Sequence, residues 1–139
     1  MTVIALLSAQ PAAALPEAIV IRRALEETTA RMAAEHATAS QILALHSVVE
    51  RQREADAAHD REAFHLADEL FHATIAEIAG YPGIWKLILQ VKVNVDRFRQ
   101  LTLPHAGRMA TVITEHEQIL AAIEAHDADR AAIAMARHI

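Results

Sequence analysis

Three histidines and one aspartate occupy positions that helical spacing places on apolar faces. Around His72, the residues three, four, seven and eight positions away include Phe64, Asp68, Ile75 and Ala79. Asp68 and His72 are therefore one turn apart, on a stripe shared with Phe64 and Ile75. The same test around His116 returns Val112, Ile113, Ile119, Leu120 and Ile123, a strongly apolar stripe with an imidazole in its middle. His138 shares its face with Ala131, Ala134 and Met135. These four side chains are expected to face a core, where an imidazole or carboxylate is costly unless paired, hydrogen-bonded or bound to a metal. An Asp-x-x-x-His pair on one helix, with one histidine from each of two later helices, can converge inside a bundle. Three neutral imidazoles and one carboxylate suit Zn²⁺, and also Ni²⁺, Mn²⁺ or Fe²⁺, with room for water or an exogenous ligand. The plainer account is a hydrogen-bonded Asp68–His72 pair and a satisfied core His116. Spacing alone favours that account.

The other histidines of the nine read differently. His46 has Ile42, Leu43 and Val49 on its face but no carboxylate one turn before it. His65 lies seven residues before His72 and could stand near a site as an outer contact. His36, His59, His105 and His126 fall near helix ends, breaks or alanine-rich faces, where surface or capping roles are expected.

The elements that must position these groups are helices. Thirty-one alanines stand against three glycines and four prolines in 139 residues, so strong helix formers dominate and breakers are few. That length makes one domain, large enough to bury a core without staples. Cysteine is absent, which excludes disulfides, thiolate zinc sites and a cysteine nucleophile. Residues 1–70 carry a net charge of −5 and residues 71–139 carry zero, so neither half has the basic stripe that phosphate neutralisation requires. Charged residues interrupt every apolar run before it could span a bilayer, and Met1–Leu15 lacks the positive start of a secretory signal. A soluble cytoplasmic protein is expected.

Breaks in the pattern predict the helices. A short piece over Met1–Gln10 is broken near Pro11 and Pro16. Long helices follow over about Glu17–Ala37, from an N-cap at Ser40 to about Ala57, and from an Asp60 cap to Gly80. Tyr81-Pro82-Gly83 predicts a turn before a helix over Ile84 to about Leu101, and Pro104–Gly107 a further break. A helix over Arg108–Ala125, a tight His126-Asp127 link and a last helix complete an all-α antiparallel bundle of six or seven helices.

Three segments in this order resemble the FCD domain, the effector-binding half of GntR-type bacterial transcription regulators. Asp68-Glu-Leu-Phe-His72 with Ile75–Gly80 is similar to its D-x-x-F-H…G signature. Glu115-His116-Glu-Gln-Ile-Leu-Ala-Ala-Ile123, Asp127, Ala131 and Met135-Ala-Arg-His138 resemble its E-H-x-x-I-L-x-A-I…D…A…M-x-x-H ending. Arg22-Arg-Ala-Leu25-Glu26 with Met32-Ala-Ala34 resembles its R-x-x-L-E…A-A opening helix. The match runs from about 17 to 138, with 1–16 as a connecting segment and 17–139 as the ligand-binding domain. The resemblance implies a buried divalent metal, zinc foremost, held by Asp68, His72, His116 and His138. It also implies a small carboxylic acid that completes the metal's coordination and pairs with Arg22. The competing role for Arg22 is an i,i+4 salt bridge to Glu26.

This sequence departs from the family pattern at Val20, where many members have Glu, and at Tyr81, where many have Asn. It also leaves no room for a winged helix-turn-helix, so a fragment of a regulator, or a stand-alone domain without its reader head, is expected. The function implied is effector sensing and homodimerisation, with DNA reached through a domain outside this chain and no membrane partner. The rival is a metal-dependent hydrolase or oxygenase using the same cluster, with His65 or Glu69 as a base.

Overall fold

The computed structural model describes residues 11–102 and 107–139. The expected piece at 1–10, and the 104–106 part of the second break with His105, lie outside them. Six helices are present among the described residues: α1 (Pro11–His36), α2 (Ala39–Ala57), α3 (Arg61–Ile78), α4 (Pro82–Thr102), α5 (Arg108–Glu124) and α6 (Ala128–His138). No strand is described, and the chain is an all-α bundle as predicted.

Several boundaries shift for local reasons. The first helix starts at Pro11 and carries Pro16 inside it, six residues earlier than expected. The alanines at 12–14 favour helix strongly enough to tolerate the one N–H that Pro16 cannot give. The second helix is capped by Thr38, not Ser40. Thr38 Oγ1 accepts from the Gln41 N–H at 3.3 Å while Gln41 Oε1 accepts from the Thr38 N–H at 2.9 Å, a reciprocal box that Ser40 cannot make. Pro82 opens α4 instead of sitting in a turn, in the first-turn position that suits its fixed φ.

The short connections share one device. At His59-Asp60 and again at His126-Asp127, the histidine takes a left-handed φ of 53° or 54°, which a glycine would usually supply. The next N–H closes back on the preceding helix, Asp60 onto Ala55 at 2.9 Å and Asp127 onto Ala122 at 3.0 Å. The same aspartate side chain then caps the following helix. Gly80, at φ 92°, plays the histidine's part after α3. Such turns reverse the chain in three residues and make sequential helices antiparallel.

Helix α1 is the spine, packed against α3, α4, α5 and α6, while α2 closes the other side against α3 and α5. Alanine explains how so many helices reach it. Ala30, Ala33 and Ala34 recur along one face of α1 and are buried, as are Ala37 just beyond its end and Ala131 and Ala132 of α6. Small side chains on facing helices let backbones approach closely. The main core joins these to Leu45, Phe71, Ile75, Ile119, Ile123 and Met135, and a smaller cluster sets Ala18 of α1 against Val91 and Val95 of α4.

Candidate metal centre

Within that core the bundle brings together the four side chains that the spacing had singled out. Asp68 and His72 come from α3, His116 from α5 and His138 from α6. One ligand atom from each lies within 4.8 Å of all the others. His116 Nε2 is 3.1 Å from His138 Nε2, which is 3.3 Å from His72 Nε2. Asp68 Oδ1 completes the group, 3.3 Å from His116 Nε2 and 3.6 Å from His72 Nε2.

The far nitrogen of each ring decides what those contacts mean. His72 Nδ1 bonds Glu26 Oε1, His116 Nδ1 bonds Gln52 Oε1 at 2.8 Å, and His138 Nδ1 bonds Glu115 Oε1 at 3.0 Å. Each partner is an oxygen acceptor, so each Nδ1 carries the proton and each neutral ring turns a lone pair inward at Nε2. Three lone pairs and a carboxylate oxygen then face one another without a hydrogen between them. Asp68 Oδ1 is buried and makes no hydrogen bond within the protein. Such a set repels itself unless a cation or protons sit inside it.

The spacing suits an ion. Donors about 2.0–2.2 Å from one divalent ion lie roughly 3 to 3.6 Å from one another, and four of the six separations here run from 3.1 to 3.6 Å. Acceptors behind ligating imidazoles, as at Glu26, Gln52 and Glu115, fix ring tautomer and orientation. The rings are also clamped by packing. Phe71 stacks on His116 with centroids 3.9 Å apart, and Trp85 of α4 lies parallel to His72 at 6.1 Å. The residues present therefore fit a divalent metal.

Electrostatics without an ion follow from the same geometry. Burial opposes charge on every member. At Glu26 it is outweighed by His72 and Arg22, which hold the carboxyl down to about 2. Asp68 is likewise held well below its ordinary value against burial, by His72, His116 and Lys92. His72, set between Glu26 and Asp68, is raised despite burial. Burial and the neighbouring His72 push His116 well down, and burial lowers His138 despite Glu115. Of the three imidazoles, His72 is thus the one whose surroundings favour the protonated form.

Arg22 lies beside the centre and not on its surface. Its Nε donates to Glu26 Oε2 at 2.6 Å and the pair is buried at 3% and 1% exposure, so the expected i,i+4 bridge is real but internal. Its four Nη hydrogens are not used in that bond. On α4, the ammonium of buried Lys92 lies 2.6 Å from Asp96 and 3.9 Å from Glu69. Glu69 in turn meets His65 at 3.1 Å. His65, Glu69 and Asp96 also come close enough to hold an ion, but the Lys92 ammonium already supplies their cation. The two groups considered as a separate base are engaged with each other. His46 is half-exposed and pairs with Glu124 at 3.2 Å, away from the core role considered for it. His126 Nδ1 meets the Ala34 carbonyl at 2.9 Å and ties the last turn to α1.

Sequence reasoning missed the outer partners. Gln52 had a readable signal, because it falls on the buried α2 stripe of Leu45, Val48, Val49 and Ala55. Glu115 adjoins His116 in the motif. Glu26 was read as partner of Arg22, and nothing local showed that its other oxygen crosses to α3. A surface cleft of about 410 Å³ between α2 and α3 is lined by Arg51, Glu54, Leu66 and Leu70 among others and lies apart from the centre.

Comparison with known proteins bears on what this centre serves. A model of the FCD domain matches residues 17–139. The HTH-type transcriptional repressor RspR of Escherichia coli K12 is 31% identical over 119 residues, covering 86% of this chain and 52% of the relative. The HTH-type transcriptional regulator YdfH of Shigella flexneri matches to the same extent. The chain thus spans about half the length of the curated relatives it matches. Among solved structures, E. coli McbR/YncC superposes with a TM-score of 0.79 at 22% identity, over 89% of this chain and 63% of that one.

Proposed function

This chain belongs to the FCD domain family of GntR-type transcription regulators, and from that premise we propose that it is the effector-sensing and dimerising part of such a regulator. Asp68, His72, His116 and His138 hold a divalent ion, zinc foremost, and a small carboxylic acid binds at the same centre. The observation that carries the reading is the inward convergence of three Nε2 lone pairs on an unsatisfied carboxylate oxygen.

A bound ion supplies positive charge and open coordination positions to the acid's carboxylate. The chain's own residues do the rest. Glu26, Gln52 and Glu115 keep the three imidazoles in the ligating tautomer, and Phe71 and Trp85 hold two of the rings in place. Arg22 keeps Glu26 ionised and offers its Nη hydrogens to the acid. An acid that binds better to one packing of α1 against α3 biases the equilibrium between packings, and no other coupling is required. DNA is contacted by a domain outside these residues, in the cytoplasm. No helix among the described residues is long and apolar enough to cross a membrane.

The test is metal analysis of protein purified without chelator, then calorimetry and thermal unfolding with and without Zn²⁺. Ion binding to the folded state at about 100 times its Kd stabilises it by about 2.7 kcal/mol. Metal-free protein that shows neither a thermal shift with divalent ions nor acid binding after reconstitution refutes the reading.

A further inference from the structure

Among the described residues, the buried side-chain atoms left without a hydrogen bond are Asp68 Oδ1 and Gln52 Nε2. They flank one imidazole. Gln52 Oε1 meets His116 Nδ1 at 2.8 Å, and Asp68 Oδ1 stands 3.3 Å from His116 Nε2. Gln52 is fully buried, and an orphaned buried N–H is rarer than an under-used carbonyl oxygen. The three outer partners also differ in chemistry. Glu26 and Glu115 are carboxylates that only accept, so they pin the hydrogens of His72 and His138 on Nδ1. Gln52 is an amide, able to donate as well as accept, so His116 alone is backed by a group that suits either tautomer. The shortest of the four separations at the centre is His116 Nε2 to His138 Nε2, at 3.1 Å. Without an ion, and with the His138 hydrogen pinned on Nδ1, a hydrogen on His116 Nε2 turns that contact from two facing lone pairs into a hydrogen bond.

We infer that Gln52 is a positioning residue with two settings, and that these decide whether His116 can hold an ion. In the first, Gln52 Oε1 accepts from the His116 Nδ1–H and the Nε2 lone pair is free to ligate. In the second, the amide turns over and its N–H donates to a bare His116 Nδ1. The ring then carries its hydrogen on Nε2, with His138 Nε2 at 3.1 Å and Asp68 Oδ1 at 3.3 Å as acceptors. The exchange moves one hydrogen between two nitrogens of a neutral ring, so charge and proton count stay the same. It gives the orphaned amide nitrogen a partner and leaves only the amide oxygen unpaired, the better tolerated group. Metal-free protein therefore takes the second setting, and ion binding reverses it. The inference rests on the metal reading above and adds the residue that sets the ion's hold without touching it.

Long-range ¹H–¹⁵N spectra of histidine-labelled protein test this, because they show which ring nitrogen carries the hydrogen. His116 is assigned by the signals that His116→Ala removes. It is expected as the Nε2–H tautomer in metal-free protein and as Nδ1–H once Zn²⁺ is added, while His138 keeps its hydrogen on Nδ1. Zinc affinity is followed by the emission of Trp85, the single tryptophan of the chain, which lies parallel to the His72 ring. Gln52→Glu offers only an acceptor. It is expected to show Nδ1–H without an ion and to bind Zn²⁺ about 10-fold or more tightly. Gln52→Met, similar in length but with neither donor nor acceptor, is expected to keep Nε2–H and bind Zn²⁺ about 10- to 100-fold more weakly. His116 found as Nδ1–H in the metal-free parent overturns the inference, as does parental zinc affinity in Gln52→Met. If metal-free His116 is Nε2–H but no divalent ion changes Trp85 emission or thermal unfolding, the metal reading fails, and Gln52 governs no ion.

Discussion

Glu26→Gln separates the two jobs that one buried carboxylate performs. The substitution keeps the side chain's shape and leaves an oxygen to accept from His72 Nδ1. It removes the charge that faces Arg22 at 2.6 Å, where both groups are buried. Breaking a buried pair from one side costs about 3–5 kcal/mol, because the remaining ion is left without compensation. For a domain of this size that corresponds to a fall in Tm of roughly 10–20 °C. Zinc affinity should fall separately, by about 10- to 100-fold, since a neutral amide is a weaker acceptor behind a ligating imidazole. The double variant Arg22→Met/Glu26→Gln distinguishes the effects. Removing both charges should restore most of the stability, as replacement of buried pairs by apolar groups often does, while zinc affinity stays low. Urea unfolding of the metal-free proteins and competitive zinc titration measure the two quantities. A single variant within about 1 kcal/mol of the parent, or a double variant that regains zinc affinity together with stability, would refute the reasoning.

Other outcomes follow from the same geometry. His116→Ala removes a central ligand and the partner of Phe71, so zinc-induced stabilisation and the Trp85 response should vanish in thermal and fluorescence titrations. Zinc binding should weaken as pH falls, because protons and the ion compete for the imidazole and carboxylate lone pairs; calorimetry in buffers of different ionisation enthalpy counts any protons released. Glu26, with an unfolded value of 4.5 and a folded value of about 2, stabilises the metal-free fold fully above pH 4.5. That contribution, on the order of 3 kcal/mol, is lost as pH falls from 4.5 toward 2, and acid unfolding of Glu26→Gln should lack it. Asp129→Ala breaks an exposed bridge to Arg31 and should leave the urea unfolding midpoint nearly unchanged.

Local patterns carried much of this architecture. Asp60 and Gly80 bound α3 where capping chemistry put them, and the stripes around His72 and His116 pointed to the core that holds them. Those signals lie within one helix, where residue spacing fixes direction. Ser40 misled because a cap depends on which of two nearby hydroxyls has the matching Gln three residues on. Pro16 misled because a proline marks a helix start only when its upstream neighbours resist helix. The reach of Glu26 to His72 was invisible for another reason: it spans 46 residues and depends on how α1 seats against α3. Helix periodicity finds the buried face, but it does not say which polar groups on two such faces will meet.

The scattering of the four converging side chains along the sequence also fixes when they can meet. Asp68 and His72 arise together, but His116 follows 44 residues later and His138 a further 22. During synthesis a chain that has emerged only through α3 presents a two-donor pair, and one emerged through α5 presents three. The last donor arrives with α6, an 11-residue helix too short to hold its shape alone and dependent on docking against α1 and α5. Capture of the proposed ion at full strength would therefore be a late event, one that seals a finished bundle rather than seeding it. A nascent or misassembled copy would hold such an ion loosely and surrender it, so occupancy would itself record that folding has gone to completion.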